Sequence, residues 1–229
     1  MLQRPRDRVA IENAEILRGK SAEVRAAILR AAQVDQAGKN EILFHEGDSA
    51  QAFFILLSGW VSIYRLGKDG RRAELGLFGP GESFAEATRA MDAYPANAQA
   101  MTAVRFARIE WRAVEVDLHD GPALSLAIAD SVAKHLGRLI QRTSDRSLLT
   151  VTERLARYLL ERCPGAANRS EMRLPFTKSL LARDLGVSPE TLSRAFAELS
   201  GAGVTIANRD IHVGDAAALR GVLGGDAMG

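Results

Sequence analysis

Seventeen consecutive residues near the C-terminus restrict the possible folds of this chain most strongly. The segment 180–196 reads LLARDLGVSPETLSRAF. Ala182 is small and allows close helix approach, and Gly186 can end a first helix in a left-handed conformation. Apolar residues recur at spacings that let two short helices bury a shared seam at a steep crossing angle. These residues are Leu181, Leu185, Val187, Leu192 and Ala195.

The second helix of this segment begins with residues suited to reading DNA bases. Ser188 is a typical N-cap, and Pro189 fits the first helical position. Glu190, Ser193 and Arg194 are spaced so that they share one helix face. A carboxylate can accept a hydrogen bond from cytosine N4, and a guanidinium can bridge guanine O6 and N7. The segment therefore predicts a helix-turn-helix that enters the major groove. The alternative is an ordinary helical hairpin that carries a solvated Glu–Arg pair.

The composition argues against several other classes of protein. A chain of 229 residues with 47% hydrophobic content is long enough for about two domains. A net charge of +2 is too small for a general polyanion binder. The single cysteine, Cys163, excludes an intrachain disulfide and a four-cysteine iron–sulfur cluster. The sequence has no P-loop, nucleophile elbow or HExxH motif, so we do not expect an enzyme.

The distribution of apolar residues bears on location. The N-terminus carries charges without a continuous apolar run, so no signal peptide is evident. No stretch of the chain approaches ~18 apolar residues, the length that a membrane span needs. We therefore expect a cytoplasmic protein without a membrane partner.

The pattern of apolar residues changes twice along the rest of the chain. Residues 8–35 predict helix, with an apolar stripe at Val24, Ala27, Ile28 and Ala31. Short apolar segments with glycine-bearing turns then predict an antiparallel barrel or jelly roll over residues 38–110. Within it, Val61 and Ile63 alternate with polar Ser62, and residues 67–70 (GKDG) predict a hairpin loop.

A long helix is predicted from Pro122 to about Thr143, followed by a hinge near Asp145 and a second helix at 151–162. Residues 204–213 predict a small hairpin beside the helix-turn-helix, which either forms a wing or closes the domain core. The stripe on the long helix must be covered by its own barrel or by a twin in a two-fold dimer. It consists of Ile128, Val132, Leu136, Leu139 and Thr143.

A β-roll, a long helix and a winged helix, in this order, resemble the Crp/Fnr family of bacterial transcription regulators over nearly the whole chain. The most specific segments are ILFHEGDSAQAFFILLSGWVSIYRL, GPGESFAEA and LLARDLGVSPETLSRAF. The resemblance implies an α+β fold with three parts: a cyclic-nucleotide-binding-like jelly roll (1–116), a dimerisation helix with its hinge (117–146) and a winged helix-turn-helix (147–229). It further implies a homodimer that binds double-stranded DNA and RNA polymerase.

The family's DNA contacts can be carried over by position. Glu190, Ser193 and Arg194 match the Fnr-type reading triplet E-x-x-S-R, which implies a palindrome similar to TTGAT-N4-ATCAA. Thr177 and Lys178 match positions that contact phosphates and fix the register without specifying sequence. Two further phosphate contacts are expected from Ser188 and Thr191.

The effector pocket departs from the cyclic-AMP-binding members. Glu86 matches the ribose-binding carboxylate, but the phosphate-binding Arg and Ser are replaced by Tyr94 and Pro95. A phosphodiester needs a cation or several donors, which neither residue supplies. Arg89 is near in sequence and could substitute. Because the adenine-contacting positions are also apolar, we expect no tight binding of cyclic AMP, and Glu86 becomes a structural carboxylate. The predicted pocket consists of Phe84, Ala85, Glu86, Ala87, Tyr94, Leu139 and Ile140.

Within the family, residues 91–100 and the SPETLSR motif look similar to the Dnr/Nnr branch, whose members respond to nitric oxide and are thought to use haem. Of the four histidines, His135 is the best haem candidate because it lies on the long helix beside the predicted pocket. His45, His119 and His212 are more typical of structural or surface histidines. The effector is therefore a small molecule or a gas. The alternative function is a cyclic-nucleotide-binding signalling module that acts through protein partners.

Overall fold

The computed structural model describes residues 4–118, 122–162, 170–174 and 177–224. The chain forms two compact units, Met1–Arg138 and Leu139–Gly229, and their boundary falls inside the longest helix. The first unit is built on two antiparallel sheets, and the second is helical with a small sheet. The predicted α+β class is confirmed. Cys163 and His119 lie outside the described residues.

The N-terminal helices are shorter than the sequence predicts. Helix α1 spans Pro5–Glu12, a 3-10 turn spans Glu15–Leu17, and α2 spans Ala22–Ala31. The predicted helix over residues 8–35 is therefore wrong in its middle and at its end. The chain continues as strand β1 (Ala32–Ala37) because every residue of β1 pairs with a partner on strand β8, and this pairing overrides the local helical pattern. The predicted stripe on α2 is confirmed, since all four of its residues are buried.

Two four-stranded sheets make up the β-roll, in the orders β1-β8-β3-β6 and β2-β7-β4-β5. The strands after β1 are β2 (Ile42–Phe44), β3 (Ala52–Ser58), β4 (Val61–Leu66), β5 (Arg72–Phe78), β6 (Ser83–Phe84), β7 (Asn97–Ala100) and β8 (Val104–Glu110). The antiparallel roll is confirmed, although it begins at residue 32 rather than 38. Gly67 to Gly70 forms the predicted loop between β4 and β5.

Aromatic rings fill the core shared by the two sheets. Phe54 lies near the centre of this cluster, with its ring centroid 5.5 Å from that of Phe44 and 5.1 Å from that of Phe84. Tyr94 stacks on Phe44 at 3.9 Å. A second core packs α1 and α2 against the first sheet through residues such as Phe53. Ring stacking and burial together make the roll a densely packed unit.

Ser62 departs from the predicted alternation along β4, because its side chain is buried rather than solvated. Its hydroxyl donates to Glu74 and accepts from Arg72 Nη2 at 2.9 Å. The guanidinium of Arg72 also lies 3.5 Å from the centroid of the Tyr64 ring. A hydrogen-bonded ion pair thus covers the serine, which a two-residue period cannot predict.

Helix α3 spans Trp111–Leu118 and α4 spans Pro122–Leu148. The predicted hinge near Asp145 is wrong for this structure, because Asp145 lies within α4 and its carboxylate pairs with Arg157 on the next helix. The predicted stripe on α4 is right only in part. Ile128 packs on the core of its own unit, whereas Leu136 and Leu139 are exposed.

The C-terminal unit contains α5 (Val151–Arg162), α6 (Lys178–Leu185), α7 (Pro189–Leu199) and α8 (Ala216–Gly224). The predicted hairpin is confirmed as β10 (Val204–Ala207) and β11 (Asp210–Val213). A third strand, β9 (Ser170–Arg173), pairs with β11 where the sequence predicts a polar loop. The polar composition of β9 hides the strand, and the sequence prediction also missed α8.

Candidate DNA interface and effector region

Helices α6 and α7 form the predicted helix-turn-helix. Thr177 caps α6 by accepting a hydrogen bond from the N–H of Leu180, and Gly186 ends it at φ 70°, in the left-handed region. Ser188 then caps α7, because its hydroxyl accepts from the N–H of Thr191 at 3.2 Å. Thr177 and Ser188 are typical N-cap residues, and Gly186 adopts a positive φ without strain because it has no Cβ. The turn is therefore fixed by local chemistry.

The face shared by α6 and α7 is apolar and closed to solvent. Leu181 and Ala182 are fully buried, and Ala195 is nearly so. Leu185, Leu192 and Phe196 are buried on the same two helices. Burying this seam leaves only the opposite edge of α7 facing the solvent.

The three predicted base-reading residues lie on that exposed edge. Glu190, Ser193 and Arg194 are all exposed. The Ser193 hydroxyl donates to the Pro189 carbonyl at 2.9 Å. The Ser188 hydroxyl, the N–H of Glu190 itself and the positive charge of Arg194 lower the pKa of the Glu190 carboxyl. The carboxylate is therefore an acceptor at neutral pH, as cytosine readout needs.

The predicted phosphate-contacting residues surround the start of each helix. Thr177 and Ser188 are exposed, while Lys178 and Thr191 are half-buried. Thr177 and Ser188 are also the N-caps, so the structure places them where backbone N–H groups and the helix dipole favour anions. Lys178 and Thr191 lie in the first turns of α6 and α7, and the base-reading edge is on α7.

Arginines connect the end of α4 to the helix-turn-helix, and the sequence prediction missed them. Arg142 Nη1 lies 3.2 Å from Asp184 Oδ1, and the Asp184 side chain is only 6% exposed. Arg154 on α5 donates to the Leu185 carbonyl at 2.8 Å. Burial, and then the charge of Arg146, lower the pKa of Arg154. These contacts join residues that are 42 and 31 positions apart, so no local sequence motif predicts them.

In the N-terminal unit, a buried carboxylate lies at the centre of the predicted effector region. Glu86 is 1% exposed. Its Oε1 accepts from Ser83 and, at 2.7 Å, from Ser131 on α4. The His135 Nδ1 lies 3.8 Å from Glu86 Oε2. The carboxylate therefore joins α4 to the β-roll through side-chain hydroxyls, and not through the backbone donors that the sequence interpretation expects for a structural carboxylate.

Aromatic packing occupies the position of the expected phosphate-binding arginine. The Tyr94 hydroxyl donates to the Ala52 carbonyl at 2.8 Å, and burial raises the pKa of Tyr94. Phe84 is buried in the same aromatic cluster. Ala87 is exposed, and Leu139 and Ile140 are exposed on the part of α4 that belongs to the C-terminal unit. The Tyr94 side chain is therefore packed in the core, and it has no positive charge that could bind a phosphate.

Ala85 has a strained backbone next to Glu86. Its φ is 68° and its ψ is 12°, in the left-handed region that residues with a Cβ seldom adopt. It lies between strand β6 and the short helical turn Glu86–Ala90. Strain of this kind tends to be kept at binding sites and switch regions.

Comparison with known proteins agrees with this architecture. The cyclic nucleotide-binding domain model matches residues 35–116, and the Crp-like helix-turn-helix domain model matches residues 153–222. The CRP-like cAMP-activated global transcriptional regulator of Mycobacterium tuberculosis is 26% identical over 212 residues, covering 90% of this chain and 94% of its own. The nitrogen fixation regulation protein FixK of Azorhizobium caulinodans is 29% identical over 225 residues, covering 90% of this chain and 87% of its own.

Solved structures give the same result. A crystal structure from Ruegeria pomeroyi DSS-3, described as that of a cyclic nucleotide binding protein, is 30% identical to this chain. Its TM-score is 0.73, and the match covers 96% of this chain and 98% of that one. No helix in the described ranges has the length and apolar content that a bilayer crossing requires.

A nucleotide-binding-type roll joined to an exposed reading helix defines a DNA-binding transcription regulator. The chain belongs to the Crp/Fnr family of these regulators. The relatives from M. tuberculosis and A. caulinodans are both named as regulators.

The left-handed Ala85 leads to a test of strain. Replacing Ala85 with Gly removes the Cβ clash, worth roughly 1–2 kcal/mol, against an entropic loss of roughly 0.5–1 kcal/mol. We expect Ala85→Gly to leave the N-terminal unit equally stable or up to about 1.5 kcal/mol more stable. Ala27→Gly, in the buried face of α2, should lose at least about 1 kcal/mol. Both tryptophans, Trp60 and Trp111, lie in this unit, so urea unfolding followed by tryptophan fluorescence measures it directly. Equal losses in the two variants would contradict the strain.

Proposed function

We propose that this protein regulates transcription as a homodimer that inserts α7 into successive major grooves of a Fnr-type palindrome. The observation that carries the proposal is the exposed edge formed by Glu190, Ser193 and Arg194, opposite a fully buried face of the same helix. An ionised carboxylate one turn from a guanidinium matches the donor of cytosine and the acceptors of guanine. Thr177, Lys178, Ser188 and Thr191 contact the phosphates and fix the register.

An uncovered apolar seam on α4 supports the dimer. Leu126, Leu136 and Ile140 are 62%, 56% and 58% exposed. They belong to a row with alternating steps of three and four residues, the spacing of a two-stranded coiled coil. This row consists of Leu126, Ala129, Ala133, Leu136, Ile140 and Thr143. A second copy of α4 covers the seam and gives the two recognition helices the symmetry of a palindrome.

The effector is proposed to be a gas or small molecule other than cyclic AMP, because Tyr94 supplies no charge for a phosphodiester. The motif similarity to the Dnr/Nnr branch favours nitric oxide sensed through haem. The surroundings of His135 fit a haem ligand. His135 would hold the group through its imidazole; its Nδ1 lies 3.8 Å from Glu86 Oε2, and Phe78 lies edge to face with the ring at 5.5 Å. When bound, haem supplies an iron that takes up nitric oxide.

Coupling between effector and DNA is proposed to run along α4. Leu139 and Ile140, at pocket positions, precede Arg142 by less than one helical turn, and Arg142 pairs with Asp184 on α6. A displacement of this stretch of α4 is thus passed to the helix-turn-helix by an ion pair. The ligand shifts the equilibrium only by its difference in affinity for the two arrangements. The DNA-bound dimer then acts on RNA polymerase.

Base readout is tested by replacing Arg194 with Ala. Because the guanidinium bridges a guanine, we expect a loss of ~1–3 kcal/mol in specific binding and relaxed selection at that one base pair. Gel-shift titrations on the TTGAT palindrome, and on a palindrome with that guanine replaced, measure both effects. Arg220→Ala, at an exposed site on α8, is the matched control and should change neither. Unchanged affinity and selectivity in Arg194→Ala would refute the assignment. Binding of a cyclic nucleotide without any binding of DNA would favour the signalling module.

The dimer is tested by placing a charge in the seam. Leu136→Glu puts a carboxylate opposite its own copy in a dimer, so the protein should become monomeric. Gln141→Glu adds the same charge on α4 outside the seam and should remain dimeric. Size-exclusion chromatography with light scattering gives the mass of each. A dimeric Leu136→Glu protein would place the interface elsewhere.

The haem proposal is tested by absorption spectroscopy. The anaerobically reconstituted protein should show a Soret band that shifts on addition of nitric oxide. Because His135 supplies the ligand, His135→Ala should lose the band, whereas His45→Ala, at an exposed turn, should keep it. A wild-type protein without a Soret band, or a His135→Ala protein with an unchanged one, would exclude His135 as a haem ligand.

A further inference from the structure

The two charged side chains on the exposed edge of α7 are not paired with each other. Glu190 precedes Arg194 by one helical turn, which is the spacing and the order that favour a direct ion pair on a helix. Within the described part of the chain, no oxygen of Glu190 lies within 4 Å of the Arg194 guanidinium. Arg194 Nη2 instead donates to the Thr191 hydroxyl at 3.4 Å. A contact with a neutral side chain therefore takes the place of the ion pair.

Two hydroxyls lie between the charged groups. Ser188 Oγ accepts from the Thr191 N–H at 3.2 Å and lies 3.1 Å from Thr191 Oγ1. The Ser188 hydroxyl also hydrogen-bonds to the Glu190 carboxylate, and this bond is the largest cause of the lowered pKa of Glu190. Because a serine hydroxyl has a single proton, the proton shared by Ser188 and Thr191 comes from Thr191. We call Ser188 and Thr191 the hydroxyl chain.

The hydroxyl chain runs in one direction, from the cation to the anion. Arg194 donates to Thr191, which donates to Ser188, and Ser188 donates to the carboxylate. A charged donor at one end and a charged acceptor at the other polarise the hydrogen bonds between them, which strengthens each bond. Thr191 is half-buried, whereas both charged side chains are exposed. The less mobile member of the chain thus holds the longer side chain.

A direct pair between Glu190 and Arg194 would compete with base reading. Both groups would have to separate before one could reach cytosine N4 and the other guanine O6 and N7. A long side chain that is ordered only on binding also reduces affinity, by roughly 2–10-fold for each side chain. A guanidinium that is already held apart from the carboxylate avoids both costs.

We propose that Thr191 is a positioning residue for base readout, whose hydroxyl holds the Arg194 guanidinium at the reading edge and away from Glu190. This inference rests on the proposed DNA-binding function and deepens it. Thr191 accepts a hydrogen bond from Arg194, so its own proton can pass from Ser188 to a phosphate without breaking that bond. The positioning role is therefore compatible with the phosphate contact. Selection of the guanine then depends on a side chain that does not touch the base.

The first test compares gel-shift affinities for the TTGAT palindrome and for the palindrome with its guanine replaced. Thr191→Val keeps the shape of the side chain and removes the hydroxyl. The ratio of the two affinities should fall by roughly 2–10-fold, because Arg194 is then ordered only on binding. Loss of a phosphate contact weakens binding to both duplexes equally and cancels in the ratio. In an Arg194→Ala background, Thr191→Val should leave the ratio unchanged.

The second test uses the free protein without DNA. When the hydroxyl is absent, Arg194 can approach Glu190, and a closer cation lowers the pKa of a carboxyl. Thr191→Val should therefore lower the pKa of Glu190 further, but not in the Arg194→Ala background. Carbon-13 NMR of the glutamate side chains measures this pKa, and Glu190→Gln assigns the signal.

Two further variants serve as controls. Thr191→Ser keeps the hydroxyl and should retain both the wild-type ratio and the wild-type pKa of Glu190. Lys178→Gln removes a predicted phosphate contact outside the hydroxyl chain, so it should weaken binding to both duplexes and leave the ratio unchanged. Thermal melts verify that each variant is folded, and Thr191→Ala also removes the hydroxyl if the valine variant does not fold.

The outcomes separate this inference from the proposed function. An unchanged ratio or an unchanged pKa of Glu190 in Thr191→Val would overturn the positioning role. An equal fall of the ratio with and without Arg194 would overturn it too. Equal affinity of the wild-type protein for the two duplexes would instead refute the base-reading function. The pKa of Glu190 would then decide whether Thr191 holds Arg194.

Discussion

Burial of the seam between α6 and α7 decides which side chains this protein can offer to DNA. Leu181, Ala182 and Leu192 are closed to solvent, so α7 can rotate no further without exposing them. The left-handed Gly186 and the Ser188 cap fix where one helix ends and the next begins. The polar edge of α7 and the N-caps of both helices take their positions from that packing. The exposure of Glu190, Ser193 and Arg194 is thus a consequence of apolar burial on the other side of the helix.

A second polar arrangement of the same importance lies in the β-roll. Glu86 is buried, with hydroxyls from β6 and α4 donating to Oε1 and the His135 imidazole 3.8 Å from Oε2. Aromatic rings take the space beside it, and Tyr94 donates its hydroxyl to the backbone rather than to a ligand. The family's nucleotide-binding roll is therefore retained as a fold, while the Tyr94 side chain packs in its aromatic core. This combination is the physical basis for proposing a different effector.

Local signals predicted the fold where they were strong and failed where distant contacts decided. The caps, the glycine turn and the α2 stripe depend on residues a few positions apart, and the structure confirms them. Strand β1 exists because β8 pairs with it from 67 to 77 residues away, and β9 exists because β11 pairs with it. The Arg142–Asp184 ion pair likewise joins residues that are far apart in the sequence, so local signals do not predict it. The base-reading residues remain a prediction, since their exposure is necessary for readout but does not demonstrate it.

The strained backbone at Ala85 lowers the energetic cost of moving the neighbouring Glu86 carboxylate. A left-handed alanine holds roughly 1–2 kcal/mol that the chain recovers if residue 85 returns to an extended conformation. Because Glu86 follows directly, such a flip moves the carboxylate that Ser131 of α4 holds. The backbone at residue 85 is therefore strained next to the contact between the β-roll and α4. Recovery of this strain would offset roughly 1–2 kcal/mol of the cost of moving the Glu86 carboxylate.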